Sequence, residues 1–576
     1  MKDKYSNMKR TIKLALILGA ATLPKMAISQ EIGLITPLPM DQIASARQYL
    51  SEYKPLKGYP VAEKLAGYKT ITLTSDISGL SPEEKTALGY MIEAAKHADN
   101  VFWMQSYGHK DSVLSRTQDE TLKNFMLLNY GPWDRLNDNA PFVEGIGPKP
   151  AGSTFYPAGV TKATLDSAYR GMRMDPYSVV LQNGFGGFED QPYFMAYGEE
   201  IVQISENLRK AAIALGREKH VELFDYLMLR AEALMMNAYP PSDIAWLRVK
   251  NESLDIIIGP IENYEDQLMG AKTAFEAYVL VRDKAWGAKL ERYIKLLPDL
   301  QKNLPVPAEY KKEEVNNGNS QLAVFDAVYY AGDCNSGSKT IAVNLPNDEQ
   351  LQTMHGTRRS QLKNVMRAKF ENMVQPISGL LIDPSQRANI TFDAFFNNVM
   401  FHEVAHGLGI KNTITDKGTV RDALGSYYSA IEECKADVLG LYMVTQLVDK
   451  GELEGKLDDF YVTFTASVFR SVRFGAGSAH GKANMITFNT LVDNGAVIRQ
   501  KDGTYKVDVV KMRAVIEKLA GDLLILQGNG DEQATADYLS KLGVVPAALA
   551  EDLERVNKAG IPVDLIFNQG AEALGL

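Results

Sequence analysis

Two cysteines in 576 residues, Cys334 and Cys434, exclude a disulfide framework even for a protein in an oxidising compartment. Long basic runs are also missing, and the net charge of −9 with a pI near 5.5 argues against nucleic acid or an anionic membrane surface as a partner. Beyond the N-terminus no stretch reaches the roughly 18 uninterrupted apolar residues of a membrane-spanning helix, so no membrane span is expected. Neither an internal repeat nor a low-complexity linker occurs, and composition marks no domain boundary. What remains is an ordinary globular balance, 45% hydrophobic and 23% charged, on a chain long enough for two or more cores.

The first residues have a different character. Lys9 and Arg10 precede the apolar run from Leu14 to Ala21, and Ala27-Ile28-Ser29 supplies small residues before Gln30. A basic start, a short apolar core and a small-residue site predict a signal peptide over residues 1–29, hence a periplasmic or secreted protein.

The chemistry concentrates in Phe401-His402-Glu403-Val404-Ala405-His406-Gly407, an HExxH pentapeptide. On a helix His402 and His406 stand one turn apart on one face, where two imidazole nitrogens can bind one zinc ion with Glu403 beside it. Such a pair can also be satisfied inside a core, so the surroundings decide. Thr391 to Gly409 reads as a helix with Phe392, Phe395, Phe396, Val399 and Met400 at core spacing, stopped by Gly407 and Gly409. Glu433 stands 27 residues beyond His406, in Ile431-Glu432-Glu433-Cys434-Lys435-Ala436-Asp437. There Glu433 and Asp437 are spaced i and i+4, so one carboxylate can bind metal while the other accepts an N–H from a ligating histidine. Met443 and Leu447 continue this second apolar helix. Cys434, within it, reads as a small buried side chain rather than a ligand.

Elsewhere Ser81-Pro82-Glu83-Glu84 caps a helix, and two long amphipathic helices are predicted over residues 199–215 and 219–236. Gly184 to Phe188 lacks the lysine of a phosphate loop and reads as a turn. Two buried strands, Asp255 to Gly259 and Lys339 to Val343, end in polar residues, which marks Glu262, Tyr264, Asn344 and Asn347 as candidates for substrate contact. His480 is a further histidine, in a glycine-rich stretch.

Glu262-Asn263-Tyr264, Asn344-Leu345-Pro346-Asn347, HExxH, Glu432 to Asp437 and Ala479-His480, in this order, resemble the dipeptidyl peptidase III family of zinc exopeptidases. Gly131 to Phe142 is similar to the branch fused to Nudix domains in plants. The resemblance implies an α+β, mostly helical protein of two lobes around a wide cleft, one lobe helical and zinc-binding, the other containing a small β-barrel. The expected division is 30–283 for the barrel lobe, 284–500 for the zinc lobe with 325–365 returning to the first, and 501–576 as a C-terminal helical segment. It further implies one zinc per chain on His402, His406 and Glu433, Glu403 as base, and Glu432 and Asp437 behind the ligands. Tyr264 and His480 would stabilise the oxyanion, and Glu262, Asn344 and Asn347 would hold the amino terminus of a short peptide. Two departures stand out: many members have HExxxH, and Asn484 occupies the place of an arginine expected after His480. A second class stays open, a peptide-binding or sensing protein with structural zinc, as does the choice between monomer and dimer.

Overall fold

The computed structural model describes residues 52–311 and 320–576; the predicted signal peptide lies outside them. Two hydrophobic cores organise these residues. The first gathers helices α1 (Pro82–Ser106), α2 (Gly198–Leu215) and α3 (Val221–Met236) on a five-stranded sheet. In chain order the strands are β1 (Leu254–Glu262), β2 (Ala274–Arg282), β3 (Ser320–Gly332), β4 (Ala342–Leu345) and β5 (Thr357–Leu362), and in space β1-β2-β3-β5-β4. All neighbours are antiparallel except β3 and β5. The edge strands β1 and β4 do not pair with each other, so the sheet is open and the expected β-barrel is not formed. Helix α1 packs on one face of this open sheet.

The second core is helical: α4 (Phe392–Ala405), α5 (Tyr428–Asp449), α6 (Leu457–Ser471), α7 (Ala479–Asp493) and α8 (Val509–Asn529). Strand β3 is the seam between the two. Alternate side chains of a strand face opposite ways, so Ala323 and Phe325 enter the first core while Val324 enters the second. The chain then returns to its beginning, where Leu565–Asn568 pairs in parallel with Lys69–Thr72.

Local chemistry explains the elements that carry the site. Ser81 and Glu84 form the expected capping box of α1, each side chain accepting from the other's backbone N–H. Thr391 caps α4 by accepting from the Ala394 N–H at 3.2 Å, a contact worth about 1 kcal/mol. Phe395, Phe396, Met400 and Phe401 then bury almost completely, each contributing about 1.5–3 kcal/mol. This helix ends earlier than its sequence suggests, at Ala405, because the buried Lys435 ammonium collects the Ala405 and Leu408 carbonyls at 3.0 and 3.1 Å. Strand β4 likewise starts at Ala342 rather than Lys339, which puts Asn344 inside the strand, paired with Arg359 of β5.

Helix α5 can press on α4 because of one glycine. A Cβ on Gly440 would sit 2.9 Å from the His402 amide nitrogen and 3.1 Å from the Phe401 carbonyl carbon. Gly440→Ala is therefore expected to push the helices apart and lower the melting temperature by about 1–3 °C, measured by calorimetry; an unchanged melting curve would contradict the close approach.

Candidate metal centre

Helices α4 and α5 bring His402, His406 and Glu433 together, with one potential ligand atom from each lying within 4.8 Å of the others. The carboxylate oxygen Glu433 Oε2 is the focus. It lies 3.2 Å from His402 Nε2, 3.7 Å from His406 Nε2 and 3.0 Å from His480 Nε2. It is buried, yet none of these approaches has hydrogen-bond geometry. Imidazole nitrogens converging on an orphaned carboxylate oxygen describe a seat for a cation, and two histidines with one carboxylate are the donor set of a catalytic zinc site with an open position.

The far sides of both rings are held. His402 Nδ1–H donates to Asp437 Oδ1 at 2.7 Å, and His406 Nδ1–H donates to Glu432 Oε1 at 3.0 Å. This leaves each Nε2 facing Glu433. Glu432 also accepts from Gln527 at 3.0 Å and pairs with Lys435 at 2.7 Å, while Asp437 accepts on its other oxygen from Asn484 Nδ2 at 2.7 Å. Asn484, standing where the resemblance leads one to expect an arginine, thus braces the carboxylate that orients His402.

The titration behaviour follows from these contacts. Burial lowers the proton affinity of His406 and favours the neutral ring that a metal needs. Burial acts the same way on His402, but Asp437 and Glu433 override it and raise the pKa well above the usual imidazole value. The negative field that holds a proton there attracts a metal cation equally. Burial alone would raise Glu433, and the contacts with His402 and His480 instead carry it below the ordinary carboxylate range. Lys435 does the same for Glu432 against its own desolvation.

A cleft of about 920 Å³ runs past this cluster and is lined from both cores. His402, Glu403, His406, Glu433 and His480 form the helical wall. Glu262, Tyr264, Asn344 and Asn347, all named by the sequence, lie on the opposite wall. Glu262 ends β1, and its carboxyl is raised by burial and partly restored by Asn347. Tyr264 is largely exposed to the cleft, and Glu262 together with burial pushes its hydroxyl up to about 12. His480 opens α7, where the Ser478 cap holds the Gly481 N–H at 3.0 Å, and Glu433 raises its proton affinity.

Sequence reading missed the groups that hold this second wall still. Glu265 is buried against Arg135 at 2.7 Å and Lys149 at 2.5 Å, and these two cations overcome burial and hold its carboxyl down at about 2. Asp266 accepts from the Tyr156 hydroxyl at 2.6 Å and from the N–H groups of Ala271 and Lys272. Tyr264 is thus carried on a turn pinned by its two successors. The glycine- and proline-rich segment from Gly131 to Pro157 supplies Arg135, Lys149 and Tyr156 for this purpose. Cys434 is fully buried and contacts Thr487 at 3.5 Å, away from the ligand cluster.

Comparison with known proteins agrees with the geometry. Residues 191–420 match peptidase family M49. Nudix hydrolase 3 of Arabidopsis thaliana is 31% identical over 570 residues, covering 87% of this chain and 73% of the relative. Dipeptidyl peptidase 3 of Homo sapiens is 23% identical over 403 residues, covering 60% of this chain and 54% of the human protein. Among solved structures, DPP III from Caldithrix abyssi superposes with a TM-score of 0.83 at 33% identity, covering 88% of this chain and 98% of that one. DPP III from Corallococcus sp. strain EGB gives 0.77 at 36%, covering 88% and 96%. With two helices presenting His402, His406 and Glu433 to a cleft between two lobes, and with likeness of this extent, the chain belongs to peptidase family M49, the dipeptidyl peptidase III family.

Proposed function

We propose that the protein is a zinc-dependent peptidase that removes dipeptides from the amino terminus of short peptides. The observation that carries the reading is the convergence of His402, His406 and Glu433, each histidine oriented from behind by its own carboxylate. A zinc ion held by these three would polarise the scissile carbonyl and bring the pKa of bound water toward about 7. Glu403, next to the first ligand and facing the cleft, is the base that takes the proton of the attacking water and hands it to the leaving amine. Tyr264, a protonated hydroxyl across the neutral range, donates to the developing oxyanion with His480. Given the predicted signal peptide, this work would be done in the periplasm or outside the cell.

The register of cleavage would be set on the opposite wall. The Glu262 carboxylate and the side-chain oxygens of Asn344 and Asn347 match the three N–H donors of a peptide's terminal ammonium. Acetylating that amine removes the charge and leaves Glu262 unpaired, at a cost on the order of 2–5 kcal/mol. Mass spectra of a digested octapeptide decide the matter. Dipeptides released from the free amino end, and slow cleavage after acetylation, support the reading; internal cuts at equal rates in both peptides would leave a zinc endopeptidase instead. Binding of peptides without turnover, under zinc, cobalt or manganese, would favour a peptide-binding or sensing protein.

The same pairing gives a pH dependence with a definite sign. Burial raises Glu262, so its negative charge is lost at a higher pH than that of an ordinary carboxylate. Binding of the ammonium should weaken as pH falls through that raised value, and again above about 8 as the peptide amine deprotonates. KM for a free peptide is thus expected to rise on the acid side. Glu262→Gln should remove that acid limb, and an acid limb that persists in the variant would assign the titration to another group.

A further inference from the structure

We infer that Arg470 and the cavity in front of it form a subsite for a carboxylate of the substrate, beyond the scissile bond. The inference rests on the peptidase reading above and extends it to a residue that the sequence did not single out. The cavity, about 240 Å³, adjoins the metal centre, and His402, Glu403 and His480 form one side of it. Phe395, Val399, Leu441 and Phe464 provide apolar walls, and Arg470, near the end of α6, also lines it.

The guanidinium is unsatisfied. Arg470 makes no hydrogen bond or ion pair among the described residues, and its Nε is buried without a partner. The carboxylate whose field reaches it, Asp564, is already engaged by the Lys369 ammonium at 3.0 Å and the Ser338 hydroxyl at 2.6 Å. Lys339 adds another cation to that neighbourhood, so Asp564 cannot neutralise it. Two other carboxylates border the cavity. Asp437 is occupied by His402 and Asn484, and Glu403 stands at the metal side without pairing to Arg470. An enclosed, unpaired guanidinium is costly, and a planar carboxylate is the group its fork of donors fits.

The neighbouring amides narrow the ligand. Asn398 lines the same cavity and donates to the Phe460 carbonyl at 2.9 Å. Asn484, standing where an arginine is expected after His480, spends its amide on Asp437 and is not free to meet a carboxylate. The ligand is therefore a carboxylate on a short carbon body. A peptide's own C-terminus and the side chain of Glu or Asp both meet that description.

Matched peptides separate the two sources. The wild-type enzyme is assayed on tetrapeptides as free acid and as C-terminal amide, and on longer amidated peptides carrying Glu or Gln at each of the two positions after the cut. One pair should show a preference for the carboxylate member of about 10- to 100-fold in kcat/KM, chiefly through KM. The responding pair names the source. Arg470→Met should collapse that ratio toward one, and Arg470→Lys should restore part of it. Ratios within twofold for every pair in the wild type would overturn the subsite, and this arm needs no variant to fold. Hydrolysis of a dipeptidyl-naphthylamide, which carries no carboxylate beyond the cut, reports on the peptidase reading separately. If nothing is hydrolysed, calorimetric affinities of the same pairs carry the test: equal affinities overturn the subsite, and a carboxylate preference abolished by Arg470→Met upholds it.

Discussion

Replacing Glu403 by glutamine is expected to lower kcat by roughly 100- to 10,000-fold while bound zinc stays at the wild-type level. The expectation follows from the position of the side chain. Glu403 points to the cleft from the same helical turn as His402 and His406, and it is outside the group of atoms that converge as metal ligands. Glutamine keeps the shape and the hydrogen-bonding oxygen but cannot accept a proton, so the substitution removes one chemical step and little structure. Metal analysis and peptide kinetics on the same preparation check it. Near wild-type turnover with zinc bound would remove Glu403 from the role of base, and loss of zinc would make it a ligand.

Glu433→Ala should lose bound metal far more severely than either Glu432→Ala or Asp437→Ala. Glu433 supplies the carboxylate oxygen on which the histidine nitrogens converge, and its removal leaves two ligands. Glu432 and Asp437 act through the rings, accepting from His406 and His402 at 3.0 and 2.7 Å. Losing one of them frees a ring to turn, which typically costs about 10- to 100-fold in affinity or activity. Competition with a zinc chelator ranks the three variants. Unchanged metal content in Glu433→Ala, with Glu432→Ala depleted, would exchange the roles of the two neighbouring glutamates. Asn484→Ala should behave as a mild version of Asp437→Ala, because it removes the donor that holds the second Asp437 oxygen.

How far the sequence alone reaches can be read from these residues. HExxH and Glu432 to Asp437 are local patterns on helices, and a period of 3.6 residues places His402 beside His406, and Glu433 one turn from Asp437, before any tertiary contact is known. The capping box at Ser81 and the turn at Gly184 to Phe188 are local in the same sense, and both are present. The open sheet was not legible in this way. Closure of a barrel depends on whether β1 and β4 meet, and they are separated by 79 residues of chain and three other strands.

The amino-acid sequence by itself determined the chemistry available to this protein: two imidazoles and a carboxylate on one segment, carboxylates at helical spacing on another, and polar residues at strand ends. Only the tertiary structure decided which partners those groups have. Gly440 admits α5 against His402, Lys435 ends α4 at Ala405, and Glu265 and Asp266 pin the turn that carries Tyr264. It also turned Asn484 inward to Asp437 and left the Arg470 Nε without a partner at a cavity shared with His402 and His480. The reason is physical. Periodicity fixes which side chains share a face of one element, but a hydrogen bond or an orphaned charge depends on what a distant segment brings within about 3 Å, and sequence spacing carries no record of that distance.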